Sequence, residues 1–343
     1  MTALFRLLIA ATVVASATSG PAVADEVLNI YSSRHYDTDE RLYRNFEEAT
    51  GIEINRLEDK ADALIARIRA EGRRSPADLL ITVDAGRLWQ ADQQGLFQPV
   101  DSDFVERRVP SYLRHQDGHW FGFSTRARVI FYDKRRLNAG AINTYQDLAK
   151  PDFEGMVCTR SASNIYMLSL LASLIHHLGE PAATEWARKV WANRARDPQG
   201  GDTDQLRAIA SGECGIALAN TYYYARALRK PVRGLAHPED TQHIGIVFPN
   251  QSSFGTHVNI SGAGVLKHAP NADNAVRFLE YLARDEAQQY FSAGNDEYPA
   301  VPGVALAESV AQLGTFKPDD IDLEVLGQNQ ALAQRIYDRV GYE

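Results

Sequence analysis

Three consecutive tyrosines, Tyr222, Tyr223 and Tyr224, follow the apolar run Gly215-Ile216-Ala217-Leu218-Ala219 across Asn220-Thr221 and lead into Ala225-Arg226-Ala227-Leu228. The apolar run reads as a strand and the segment after the tyrosines as a helix. Side chains at such a turn point into the crevice at the carboxyl edge of an α/β sheet. Phenols packed this densely offer hard oxygen donors. A free phenol has a pKa near ~10, so it binds as phenolate only if a strongly Lewis-acidic cation expels its proton. Ferric iron does that far better than calcium or magnesium, and it is the cation this pattern suits. Adjacent strand residues point to opposite faces, so Tyr222 and Tyr223 can reach one ion only where strand geometry has ended. A helix start also favours the ionised form, by roughly 0.3–1 kcal/mol.

Further donors stand at two other turns. The loop Ser32-Ser33-Arg34-His35-Tyr36-Asp37 comes after the first strand and offers Tyr36 and His35. Cys158 to Tyr166 runs from a strand end into a helix over Met167 to His177 and offers Tyr166. Four phenolates around one Fe(III) would leave a net charge of about −1, so a neighbouring cation is needed. Arg34, Arg126, Arg128, Arg160 and Arg226 are the candidates. Taken singly, Tyr36 also reads as a surface phenol and His35 as a solvated or supporting residue. Tyr31, Tyr132 and Tyr145 read as packing residues, and Trp186 and Trp191 as the buried side of one helix. His176-His177 reads as a helix end before Leu178-Gly179, with no acidic partner in register.

The elements that must position these residues alternate. Val27–Tyr31, Ile52–Leu57 and Ala77–Val83 read as strands. Thr38–Thr50, Asp59–Glu71 and a segment opening at Asp84-Ala85-Gly86 read as helices. Strand and helix taking turns argue for an α/β fold with a parallel, doubly wound sheet. Two long extended runs, His119–Tyr132 and Ile244–Ile260, have no helix beside them and suit crossings between two discontinuous lobes around a cleft. The expected lobes are 25–125 with 251–298 and 126–250 with 299–343.

Arg6, the apolar stretch Leu7–Ala15 and Ala22-Val23-Ala24 form a signal-peptide pattern, with cleavage expected after about Ala24 and export to the periplasm. Its removal moves the formal charge of the 343-residue chain from −8 to −9. A mildly acidic chain with scattered positive charge is not built for nucleic acid. Cys158 and Cys214 lie eight residues before Tyr166 and Tyr222, and the exported location permits a disulfide. Buried free thiols are the alternative, and the spacing excludes neither.

In Leu28–Tyr36, Ser124–Tyr132, Ser161–Tyr166 and Ala219–Tyr224 the chain resembles the ferric-iron-binding substrate-binding proteins of ABC importers, the bacterial transferrins. It is most similar to their tyrosine-rich branch of cyanobacterial iron-uptake proteins. The resemblance implies a type II periplasmic-binding-protein fold and iron held by Tyr36, Tyr166, Tyr222 and Tyr223, with His35 as an optional donor. Tyr224 matches an aromatic that more often packs. Arg126 or Arg128 falls where relatives hold a synergistic anion such as carbonate or balance the phenolates, and Arg226 is a further candidate. A monomer handing iron to an inner-membrane ABC permease is implied. Relatives that use a carboxylate have Glu where this chain has Asp84, which favours an all-tyrosine site. The competing classes are an enzyme, which lacks any Gly-x-Ser-x-Gly or phosphate-loop motif here, and a binder of an organic anion or polyamine.

Overall fold

The computed structural model describes residues 26–34 and 36–342; the expected leader peptide and His35 lie outside them. Among the described residues nine strands form one continuous sheet system. They are β1 Val27–Ser32, β2 Glu53–Glu58, β3 Leu79–Thr82, β4 Phe121–Asp133, β5 Val157–Cys158, β6 Ile216–Asn220, β7 Ile244–Val247, β8 Val258–Val265 and β9 Tyr298–Pro299. The order is β2-β1-β3-β8-β4-β6-β5, with β7 and β9 also paired to β4.

β1 runs parallel to both β2 and β3, and β5 runs parallel to β6, as strand–helix alternation predicts. The crossing strands depart from the purely parallel expectation. β8 is antiparallel to β3 and β4, and β4 is antiparallel to β6 and β7. A chain that leaves one layer and comes back must reverse direction, and this reversal is invisible to local periodicity.

β4 is the long crossing. Its first half pairs with β8 from Phe121↔Ala263 to Ala127↔Val258, and its second half with β6 from Arg128↔Asn220 to Tyr132↔Ile216. Arg126 and Arg128 therefore sit where one half of the sheet hands over to the other. The expected second run, Ile244–Ile260, is broken into β7 and β8 by a turn. Pro249 supplies no amide, Asn250 adopts a left-handed φ of 61° and Gly255 one of 99°. The Asn250 carbonyl accepts the Ser253 and Gly255 amides at 2.9 and 3.0 Å, closing the turn, and its Oδ1 accepts the distant Tyr145 amide at 3.0 Å, which anchors it.

Apolar side chains collect in three clusters. The first includes Leu28, Phe46, Leu80, Phe121, Phe278 and Leu326. The second is built on Leu170, Leu171, Trp186, Ile336 and Tyr337, and the third on Val129, Phe131, Ile209 and Tyr224. Phe46 meets Phe278 edge-on at 4.9 Å, and complete burial of each is worth about 1.5–3 kcal/mol. Trp186 is buried and donates its indole N–H to Tyr145 O at 2.7 Å, while Trp191 is half-buried against Tyr342. Among the described residues no helix is long and apolar enough to cross a membrane.

Candidate metal centre

One wall of the centre is made by two parallel strands and the helices after them. β5 leads through Thr159–Ser163 to Asn164, whose side chain accepts the Tyr166 amide and caps the Ile165–Leu178 helix. β6 ends at Asn220, and the Thr221–Arg229 helix begins at once. The disulfide Cys158–Cys214, with Cα atoms 5.9 Å apart, ties the last residue of β5 to the segment just before β6. Tyr166 is thus the second residue of one helix, and Tyr222 and Tyr223 are the second and third of another. The Tyr166 and Tyr222 hydroxyls lie 3.2 Å apart, and the Tyr222 and Tyr223 rings stack at 4.3 Å. Helical rather than strand geometry lets neighbours in sequence share one space. Tyr224 turns away, packs on Phe131 at 5.1 Å and donates to Ile244 O at 3.3 Å, the role of an ordinary core phenol.

Tyr36 comes from the other direction, on the loop after β1. The Arg34 guanidinium lies 4.7 Å from its ring centroid. That guanidinium is fixed by Asp39 at 2.7 Å, Glu297 at 2.8 Å and the Ser261 hydroxyl at 2.8 Å. Asn295 donates to Asp39 at 2.8 Å and so joins the same network.

The phenols report on one another. Burial, then the Glu297 carboxylate and Tyr166, push the Tyr36 phenol up to about 12 against the pull of Arg34 and Arg126. Burial raises Tyr222 well above the usual phenol range, and the charges of Tyr166, Tyr36 and Tyr223 add to it. Tyr223 is raised as well, by burial first, then by Tyr166 and Asp202. Tyr36, Tyr222 and Tyr223, each held neutral by burial and by the nearness of Tyr166, share a single low-dielectric neighbourhood, and a strong cation is what would reverse that penalty.

Hydrogen bonding separates the committed arginines from the uncommitted. Arg128 Nη1 is held by Asn220 at 2.9 Å and Asp202 at 3.2 Å. Asp202 in turn accepts the Asn220 amide at 2.8 Å, so this pair braces the end of β6. Arg226 faces the Tyr222 ring at 5.6 Å but bonds Asn295 O at 3.3 Å and approaches Asp296 at 3.7 Å. Arg126 donates Nη1 to Ser261 at 2.9 Å, while its buried Nε and Nη2 have no hydrogen-bond partner. Tyr166, Tyr222 and Tyr36 all raise the Arg126 pKa, after the larger effects of burial and Glu297. Among the described residues Arg128 and Arg160 each leave only a buried Nε unpartnered, and Arg160, 5.1 Å from the Tyr166 ring centroid, also approaches Asp202 at 3.5 Å, so Arg126 keeps the most capacity for charge in the centre.

Asp84 is fully committed elsewhere. Its Oδ1 accepts the Gly86 amide at 2.8 Å, and its Oδ2 accepts from Ser169 at 2.9 Å and Asn259 at 2.8 Å. Sequence reading missed Glu297, Asp202, Asn295 and Asn259, which lie far from the tyrosines in sequence and carry no motif. It also missed the partner of His177, whose Nε2 lies 2.9 Å from Asp319 Oδ2 across 142 positions.

A sheet system with one strand common to both halves, and polar side chains from each converging at the junction, defines a two-lobed solute-binding protein. The family model described as bacterial extracellular solute-binding protein matches residues 74–321, and the chain belongs to that family. It is 48% identical over 316 residues to Iron uptake protein A1 of Synechocystis, covering 92% of this chain and 87% of that one. To the Major ferric iron-binding protein of Neisseria meningitidis serogroup B it is 26% identical over 324 residues, 94% of each chain. The solved structure of the Trichodesmium protein IdiA (FutA) with iron and citrate superposes with a TM-score of 0.88 at 47% identity, covering 92% of this chain and all of that one.

Proposed function

We propose that the chain binds ferric iron in the cleft between its lobes through the phenolates of Tyr36, Tyr166, Tyr222 and Tyr223 and delivers it to an ABC-type importer. The observation that carries this reading is the 3.2 Å approach of the Tyr166 and Tyr222 hydroxyls, with Tyr223 and Tyr36 electrostatically coupled to both. The relatives bearing names of iron uptake and ferric iron binding support the same cargo. In the unloaded centre the phenols of Tyr36, Tyr222 and Tyr223 are neutral, and the incoming ion expels their protons. The unpartnered Nε and Nη2 of Arg126 then face excess negative charge and either balance it or hold an anion such as carbonate. Arg128 and Arg226 act behind it through Asp202 and Asp296. His35 stands beside Tyr36 in sequence as a further donor.

The lobes of this reading are 25–125 with 251–298 and 126–250 with 299–343. Tyr166, Tyr222 and Tyr223 take the ion first, and closure brings Tyr36. The chain acts as a monomeric, non-catalytic periplasmic carrier, released from its leader after about Ala24, with the inner-membrane permease as its partner. Softer, less charged Fe(II) holds phenolates less well, so reduction favours release. Equilibrium competition against a ferric chelator tests the assignment. Tyr222→Phe with Tyr223→Phe keeps the rings and removes two oxygens, and affinity should fall by several orders of magnitude. Unchanged affinity would exclude the site. Stabilisation by a polyamine or organic anion without iron would indicate the alternative cargo.

A further inference from the structure

A second constellation lies apart from the tyrosines, where three distant stretches of chain meet. Asp92 is near the end of the Ala85–Gln93 helix, His115 and His119 flank the turn closed by Gly118 at φ 72°, and Glu324 opens the Glu324–Gln328 helix. His115 Nε2 lies 3.0 Å from Glu324 Oε1 and 3.6 Å from Asp92 Oδ2, and His119 Nδ1 lies 2.6 Å from Asp92 Oδ1. The two imidazoles are parallel, with centroids 4.5 Å apart. One donor atom from each of Asp92, His115 and His119 falls within 4.8 Å of the other two.

We propose that Asp92, His115, His119 and Glu324 form a second cation site, for a divalent ion of borderline softness such as Zn²⁺. Two imidazoles and two carboxylates are a ligand set for that class rather than for calcium or magnesium, which take oxygen. With ligand bonds of about 2.0–2.2 Å, a tetrahedral site needs donors about 3.4 Å apart; Asp92, His115 and His119 reach that spacing with small side-chain shifts, and Glu324, 3.0 Å from His115, swings in as the fourth donor. Charge points the same way. Two carboxylates, Asp92 and Glu324, set against the two imidazoles supply negative charge that a divalent ion would neutralise.

The rival reading is a set of imidazole–carboxylate hydrogen bonds that only fastens the turn. Its strongest support is that His115 Nδ1 accepts the Asp117 amide at 3.0 Å, which puts the ring proton on Nε2. Metal binding at Nε2 moves that proton to Nδ1 and costs the amide its acceptor, at an exposed residue where water replaces it. The consequence of occupancy is mechanical. The Glu324–Gln328 helix packs on both the Ala85–Gln93 helix and the Ile165–Leu178 helix that carries Tyr166, so the ion would pin it between them.

The test uses the full chain stripped with a chelator and carrying Tyr222→Phe and Tyr223→Phe, so that the cargo centre does not compete. Zn²⁺ is titrated against a chromogenic chelator and Co²⁺ followed by its visible d–d bands. One equivalent should bind with Kd below roughly 10 μM. Adding His119→Ala or Asp92→Asn should weaken it by at least about 10–100-fold. His119 is partly exposed, so its variant decides the matter if Asp92→Asn does not fold. No saturable binding below ~1 mM, or binding undiminished by His119→Ala, overturns the site.

Discussion

Loading the tyrosine centre should expel protons in a number set by the phenols that ligate. With the Tyr36 phenol pushed up to about 12, removing its proton at pH 7 costs about 7 kcal/mol at ~1.4 kcal/mol per pH unit. Tyr222 and Tyr223 are raised too, so each also starts neutral. Every phenolate formed therefore releases one proton, and affinity should climb about tenfold per pH unit for each of them. Acid returns protons to the oxygens and weakens binding. Calorimetry with a ferric chelate of known proton balance, run at pH 7 in two buffers of different ionisation enthalpy, counts the protons directly. The wild-type chain should release about four per ion and Tyr222→Phe about one fewer. Release of none, or the same number from both proteins, would refute ligation by neutral phenols.

The same geometry sets further expectations. For the unloaded protein, phenols raised above their unfolded pKa contribute stability that is complete below pH ~10 and lost as pH rises through the folded value of about 12 at Tyr36, so alkaline denaturation should begin near pH 10 and be delayed in Tyr36→Phe. Replacing Cys158 and Cys214 by Ser opens a loop of 56 residues and should cost up to about 4 kcal/mol in denaturant unfolding, with cargo affinity falling as β5 and β6 loosen. Asp84→Asn should cost about 1–3 kcal/mol of stability through its buried hydrogen bonds while leaving the absorption of the loaded centre unchanged. Arg126→Met should weaken ferric binding by roughly 10–100-fold, the effect of one cation at an effective dielectric near 20. Arg226→Met should do less, because Asp296 already balances that charge.

Much of the centre was legible because its chemistry is carried by residue type at element ends. Tyrosines after a strand, and an Asn before a helix, announce both position and donor. The Tyr222–Tyr223 pair could be placed in a helix start because a strand would have separated the two oxygens. What escaped reading depends on long-range closure. Nothing near Glu297 in sequence signals that it will meet Arg34, 263 positions away, or that Asp202 will brace Asn220. The break between β7 and β8 was missed because apolar residues on both sides outweighed Pro249 and Asn250, whose turn chemistry decides the path. The antiparallel crossings likewise arise from topology and not from any local pattern. The commitment of the Asp84 carboxylate likewise rests on distant partners, Ser169 and Asn259, which donate to its second oxygen from 85 and 175 positions away.

The most direct measurement is the visible spectrum of the purified protein as Fe(III) is added, with metal content determined on the same sample. Phenolate bound to ferric iron absorbs by charge transfer, so an orange to red colour should grow, saturate at one ion per chain, and bleach with a reductant. Iron retained at that stoichiometry by a colourless protein would contradict ligation by Tyr36, Tyr166, Tyr222 and Tyr223.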